Sequence, residues 1–211
     1  MSVRPRHHAA ALLAIACFAV AGCGGSSSSK KPTADPSQQK PSAYAGAVAN
    51  PPKPAPPLKQ HDSLGKRFDL AKNKGKVVLI TFLYTHCPDV CPLITGNLHT
   101  SLVQLGPKAK NVQVVAVSAD PKGDTPQTVA DFLSKHQMTG RMRYLIGSRK
   151  ELEKIWLRWG VVAKPDPKTP NAVEHSGLVY GIAASGKITT LYPANFKPAQ
   201  IAHDVPILAT H

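Results

Sequence analysis

The stretch Val77 to Pro92 reads VVLITFLYTHCPDVCP, an apolar, β-branched run that ends in two cysteines flanked by prolines. Val77 to Tyr84 is eight residues without a charge, rich in Val, Ile, Thr and aromatics, and predicts a strand buried on both faces. Gly75-Lys76 turns into it. Beyond the cysteines, Ile94, Leu98, Leu102 and Leu105 recur at helical spacing and Gly106 closes the segment. Proline is favoured in the first helical turn, so Pro92 predicts a long helix beginning just after Cys91, with both sulfurs near its positive end. That field favours a thiolate. Cysteines four apart on a helix have Cα atoms roughly 6 Å apart, near the upper limit for a disulfide and comfortable for sharing a metal ion.

Length and composition place one domain behind an extended leader. The chain has 211 residues, a formal net charge of +14, 20 prolines and 4 cysteines. Residues 1–22 read as an export signal, with Arg4 and Arg6 before an apolar core from Ala9 to Val20 that is too short to span a bilayer. The core ends in Val20-Ala21-Gly22-Cys23, which resembles the lipobox of bacterial lipoproteins. That resemblance implies a lipid on Cys23, loss of Cys17 with the signal, and attachment to the extracytoplasmic face of the cell membrane. Gly24 to Pro57 has a single aromatic, Tyr44, and reads as a disordered Pro/Ser-rich tether. The basic residues after it are scattered, with no dense cluster or aromatic stripe. A nucleic-acid partner is therefore disfavoured, and the basic surface suits an acidic partner or an anionic membrane.

From Leu58 to His211 the pattern is that of one folded domain. His61 to Leu70 predicts a short hairpin with Leu64 and Phe68 as its apolar members. The cysteine strand and helix follow, then a buried strand from Val112 to Ser118 and a helix striped by Val129, Phe132 and Leu133, with His136 at its end. Met142 to Ile146 is a third strand. Arg149 to Trp159 is a helix burying Leu152, Ile155, Trp156 and Trp159. A hairpin of Leu178 to Ala183 and Lys187 to Tyr192 precedes a last helix from Pro198, which Pro206 is expected to kink or end. This order is that of a thioredoxin-like three-layer α/β sandwich.

Cys87 and Cys91 carry the chemistry. A structural disulfide closing so short a loop adds little constraint on the unfolded chain, and a domain of this size builds an ordinary core without one. The end of a central strand before a helix is instead where open α/β sheets place functional sites. Two chemistries fit: a dithiol–disulfide redox couple, or a two-thiolate set for a soft ion such as Cu(I), completed by a third ligand. Among the histidines, alternation points His86 away from Cys87 and helical spacing sends His99 to solvent. His61, His203 and His211 have no partner by spacing. His175 lies in a loop immediately before a core strand, with Glu174 beside it as an outer partner.

The run Gly75-Lys76-Val77 through Phe82, continuing Tyr84-Thr85-His86-Cys87-Pro88-Asp89-Val90-Cys91-Pro92, closely resembles the signature of the Sco/SenC family. Val117-Ser118-Ala119-Asp120-Pro121 with Asp124-Thr125-Pro126, and Val173-Glu174-His175-Ser176 with Tyr180, resemble two further motifs in the expected order. The resemblance implies a thioredoxin-like, membrane-attached copper protein linked to assembly of the dinuclear copper centre of cytochrome c oxidase. It implies that Cys87, Cys91 and His175 bind one copper ion, Cu(I) or Cu(II). The implied partners are the oxidase subunit carrying that centre, and other copper chaperones or thiol reductases. Glu174 stands where Asp is usual, and two readings stand for Asp120, support of the site or, the one favoured, the cap of the loop before the helix. Delivery of copper and reduction of the target cysteines use the same sulfurs, so a metallochaperone and a thiol–disulfide oxidoreductase both stand. Thr85-His86-Cys87 also has a superficial likeness to a peroxidase nucleophile.

Overall fold

The run from Val77 becomes the centre of a sheet. In the computed structural model, which describes residues 42–165, 173–174 and 177–211 (backbone only at 164, 165, 173 and 174), β4 (Val77–Leu83) is buried at every position. It pairs in parallel with β5 (Val112–Ser118) and antiparallel with β9 (Leu178–Ile182). β-Branched and aromatic side chains suit a strand covered on both faces, and each buried Val, Leu, Ile or Phe contributes about 1.5–3 kcal/mol.

The sheet grows outward from this strand. On one side β6 (Met142–Ile146) joins β5 in parallel, followed by the hairpin β2 (Lys59–Asp62) and β3 (Arg67–Asp69). On the other, β10 (Lys187–Pro193) pairs with β9, and β1 (Ala47–Pro54) closes the edge. The strand order is β1-β10-β9-β4-β5-β6-β2-β3, and β7 (Lys164–Pro165) and β8 (Val173–Glu174) form a separate short ladder.

Helices cover both faces, as the three-layer thioredoxin-like order requires. Thr81, Ala116 and Tyr144 are paired across β4, β5 and β6 and so share one face. There Tyr144 meets Phe132 of α2 (Pro126–Lys135) edge-on at 6.2 Å. α4 (Pro198–Leu208) covers the same face over Gly181 and packs on α1 (Val90–Leu105), with Asn97 Nδ2 donating to Phe196 O and Ser101 Oγ to Pro198 O. Phe82 points to the opposite face, where Trp159 of α3 (Arg149–Trp159) lies 6.0 Å away and Tyr180 closes the aromatic group. Trp156 donates to Ser118 O at 3.0 Å, so both tryptophans are core residues. α3 is bounded by a Ser148–Glu151 capping box and by Gly160 in the left-handed conformation at φ 65°.

Several expectations are corrected. The folded part reaches further toward the N-terminus than Leu58: β1 lies inside the segment read as tether. Its prolines are tolerated because an edge strand has one row of N–H groups with no ladder partner to lose. Its pairing with β10 is irregular between Val48 and Lys53. Leu64 is 75% exposed, while Phe68 is the buried member of the first hairpin. α1 starts at Val90, so Cys91 sits inside its first turn and Pro92 follows it. α4 runs through Pro206 to Leu208, because Val205 and Leu208 are both buried and a proline in the last turn removes only one hydrogen bond. Among the described residues no helix is long and apolar enough to cross a membrane. The export signal, Cys17, Cys23 and His175 lie outside the described residues.

Candidate metal centre

The site begins where strand pairing stops. β4 ends at Leu83, and Cys87 is reached through a tight turn in which its N–H donates to Tyr84 O at 3.3 Å. The first N–H groups of a helix have no intrahelical acceptor. Asp89 occupies the cap position of α1 but makes no side-chain cap bond. The Cys87 sulfur takes that role: Cys91 N–H donates to Cys87 Sγ at 3.3 Å. Both cysteines are free thiols, and Cys87 is 6% and Cys91 0% exposed.

The two sulfurs are electrostatically unequal. The hydrogen bond from Cys91 S–H, aided by the Asp89 and Cys91 N–H groups and the Tyr84 side chain, pulls the Cys87 thiol down to about 6 against the opposing effect of burial. The same bond, now seen from its donor, pushes Cys91 far up; burial and the nearby Cys87 and Asp124 charges add to it, and the Tyr84 backbone N–H opposes it. The expectation of a favoured thiolate therefore holds for Cys87 and not for Cys91.

A buried carboxylate behind the cysteines was not among the candidates read from sequence. Asp124 is 5% exposed and accepts from Thr85 N–H at 2.8 Å, Ser118 Oγ at 2.6 Å and Tyr144 Oη at 3.0 Å. Burial raises its carboxyl above the ordinary range. Its place in Asp-Thr-Pro reads as a turn former, and only the hydroxyls at 85, 118 and 144 signal a buried acceptor. Asp120 caps the loop before α2, its Oδ1 accepting Lys122 N–H at 3.1 Å, while Thr125 is the N-cap of the helix itself.

The histidines divide as follows. His86 is exposed and lies 3.2 Å from Thr85 Oγ1, against the β5–α2 loop at Gly123. His99 contacts the Gln137 carbonyl at 3.2 Å instead of facing open solvent. His136 ends α2 with its ring tilted against that of Phe132, centroids 4.6 Å apart, His203 pairs with Asp204 at 2.8 Å, and His211 lies beside Tyr44. Among the described residues no three His, Cys, Asp or Glu side chains converge as a metal-binding group. His175 cannot be placed among them. Two neighbours in sequence bracket it: Glu174 in β8, and Gly177, where a β-carbon would lie 3.6 Å from Ile94 Cδ1, one turn beyond Cys91. β9 runs antiparallel to β4 with Thr81 opposite Val179, so the chain enters β9 at the end of β4 from which the cysteine loop leaves. Two cavities, of about 580 and 410 Å³, share Gln113, Gly140 and Arg141 and include neither cysteine.

Such a pair of soft sulfur donors, shielded and already within hydrogen-bond reach of each other, fits a thiophilic ion. The SCO1/SenC family model matches residues 50–210. The SCO1 protein homolog of Bacillus subtilis is 29% identical over 130 residues, covering 61% of this chain and 67% of that protein. Copper-bound ScoI of Bradyrhizobium japonicum is 30% identical with a TM-score of 0.64, covering 72% of this chain and 97% of that one. BsSco, a member of the Sco family of cytochrome c oxidase assembly proteins in which a disulfide switch was identified, is 25% identical with a TM-score of 0.63. That match covers 75% of this chain and 95% of BsSco.

Proposed function

The chain belongs to the SCO1/SenC family, and from that premise we propose that it is a copper carrier of the extracytoplasmic membrane face. Copper is its cargo, held by the sulfurs of Cys87 and Cys91 and the imidazole of His175. The observation that carries this reading is the juxtaposed, buried thiol pair at the start of α1, linked by the Cys91 N–H to Cys87 Sγ bond. Two thiolates select a soft ion, and an imidazole completes a trigonal set. The entry of β9 beside the end of β4 supports His175 as the third ligand, with Glu174 as its outer partner. A lipid on Cys23 would hold the protein at the membrane, and ligand exchange would pass the ion to the cysteines of the dinuclear copper site of cytochrome c oxidase.

A second reading rests on the inequality of the two sulfurs. A Cys87 thiolate beside a protonated Cys91 is the arrangement of a thiol reductant, in which the thiolate attacks a target disulfide and the second sulfur releases the mixed disulfide. The pair would then reduce the oxidase cysteines before they take copper.

Anaerobic Cu(I) titration of the reduced full chain against a chromophoric chelator, with His175→Ala in parallel, separates the two. One equivalent bound, and sharply weakened in the variant, is the expected result. Failure to compete, or indifference to His175→Ala, would leave the reductant reading and make the reduction potential of the pair the quantity to measure.

A further inference from the structure

Between Leu83, where β4 stops, and Val90, where α1 starts, the chain that carries Cys87 has no strand or helix to hold it. The last pairing bond on this side is Ala119 N–H to Leu83 O at 2.7 Å. Two residues later, Thr85 N–H is taken by a side chain, Asp124 Oδ1 at 2.8 Å, from the loop between β5 and α2. That carboxylate is itself immobilised. It is 5% exposed, and its other oxygen accepts from Ser118 Oγ at the end of β5 and from Tyr144 Oη on β6. Two neighbouring strands, β5 and β6, therefore hold one oxygen of this buried acid, and its other oxygen reaches the turn that aims Cys87.

We propose that Asp124 is a positioning residue of the copper site, acting through Thr85 on the placement of the Cys87 sulfur without touching the metal. The inference rests on the copper reading above. The turn from Tyr84 to Cys87 is closed by the backbone bond from Cys87 N–H to Tyr84 O at 3.3 Å, and the anchor of Thr85 on Asp124 lies inside it, so that anchor bears on the direction in which Cys87 leaves the turn. Charge-assisted bonds to a carboxylate are roughly twice as strong as neutral ones, and a buried acceptor cannot be replaced by water without opening the core. Outer partners that orient metal ligands typically set affinity by about 10–100-fold.

Asp204 supplies the control. It is a fully buried carboxylate with its own set of bonds, but its partners are Ala45, Gly46, Tyr192 and His203, none of which adjoins Cys87 or Cys91. Cu(I) affinity of the reduced full chain is measured by chelator competition for wild type, Asp124→Ala, Asp124→Asn and Asp204→Asn, with a thermal melt of each. The expected result is a loss of about 10-fold in Asp124→Asn, approaching 100-fold in Asp124→Ala, while Asp204→Asn lowers the melting temperature and leaves affinity within twofold. If Asp124→Ala does not fold, the comparison of the two Asn variants decides. Affinity within twofold of wild type in Asp124→Asn, or equal losses in both Asn variants, overturns the inference alone. A wild-type chain that does not compete for Cu(I) overturns the copper reading and this inference with it.

Discussion

Cys91 N–H donates to Cys87 Sγ at 3.3 Å, so the upstream sulfur caps the helix that contains the downstream one. This bond, with the Cys91 S–H, makes the pair asymmetric: Cys87 is drawn down to about 6 and Cys91 is pushed far above the ordinary thiol range. Alkylation of the reduced, metal-free chain by iodoacetamide should rise through a midpoint near pH 6 and level off by neutral pH, with mass mapping placing the label on Cys87. The linked effect on stability has a definite sign. Because the folded thiol is more acidic than the unfolded one, its contribution is complete above the unfolded value of 9.0 and is lost as pH falls through about 6. A midpoint near 9, or equal labelling of Cys91, would remove the asymmetry on which the reductant reading depends.

Asp204 ties the N-terminal segment to α4. Fully buried, it accepts from Ala45 N–H at 2.7 Å, Gly46 N–H at 2.9 Å and Tyr192 Oη at 2.9 Å. Asp204→Ala strands several of these donors, each costing about 1–3 kcal/mol when buried and unpaired. The expected loss is about 3–5 kcal/mol in urea unfolding followed by tryptophan fluorescence. Asp204→Asn should lose about 1–2 kcal/mol, because the amide oxygen still takes one of the N–H groups. A loss under 1 kcal/mol in the alanine variant would mean that water replaces the carboxylate and the segment is only loosely held.

What sequence made legible and what it hid follow from the range of the interactions. The run from Val77, the stripe of Ile94, Leu98, Leu102 and Leu105, and the stripe of Leu152, Ile155, Trp156 and Trp159 are local periodicities, and each becomes the buried face it implies. The cysteine loop is also local, since its sulfurs are four residues apart. Asp124 and Asp204 were not legible, because their roles depend on partners 39 and 158 positions away, at Thr85 and Gly46. β1 was hidden for a different reason. Asn50-Pro51-Pro52-Lys53-Pro54 has neither alternation nor a buried side, and it is a strand only because β10 offers it an edge. Leu64 misled in the opposite sense, being apolar at the tip of a hairpin with nothing above it.

His136 offers a test of acid sensitivity. It closes α2 with its ring 4.6 Å from that of Phe132, and partial burial, with Lys135 nearby, lowers its pKa below the ordinary 6.5. The fold therefore prefers the neutral ring. Its contribution is complete above pH 6.5 and is lost as pH falls through the lower folded value. Relative to His136→Gln, the wild-type melting temperature should fall on acidification below about pH 6 and run parallel above pH 7. A constant difference across pH 5–8 would show that the ring is indifferent to its charge.

The boundary of the domain can be tested by truncation. A chain beginning at Leu58 lacks β1 and the two N–H groups that Asp204 accepts from Ala45 and Gly46; a chain beginning at Ser42 keeps them. β1 buries little of itself, its residues being exposed except for a half-buried Ala49, so hydrophobic burial contributes only a small part of the difference. The larger part is Asp204, left in the core with two of its partners gone. Bonds to a charged group are worth about 1.5–3 kcal/mol each, so the shorter chain should be less stable by about 3 kcal/mol or more. For a domain of this size that lowers the melting temperature by roughly 10 °C. The same cut uncovers the hydrogen-bonding edge of β10, a template for pairing with another chain. Sedimentation should therefore show concentration-dependent self-association of the Leu58 chain and none of the Ser42 chain. Equal melting temperatures and equal sedimentation would mean that β1 adds nothing to the fold and that the domain begins at Leu58 after all.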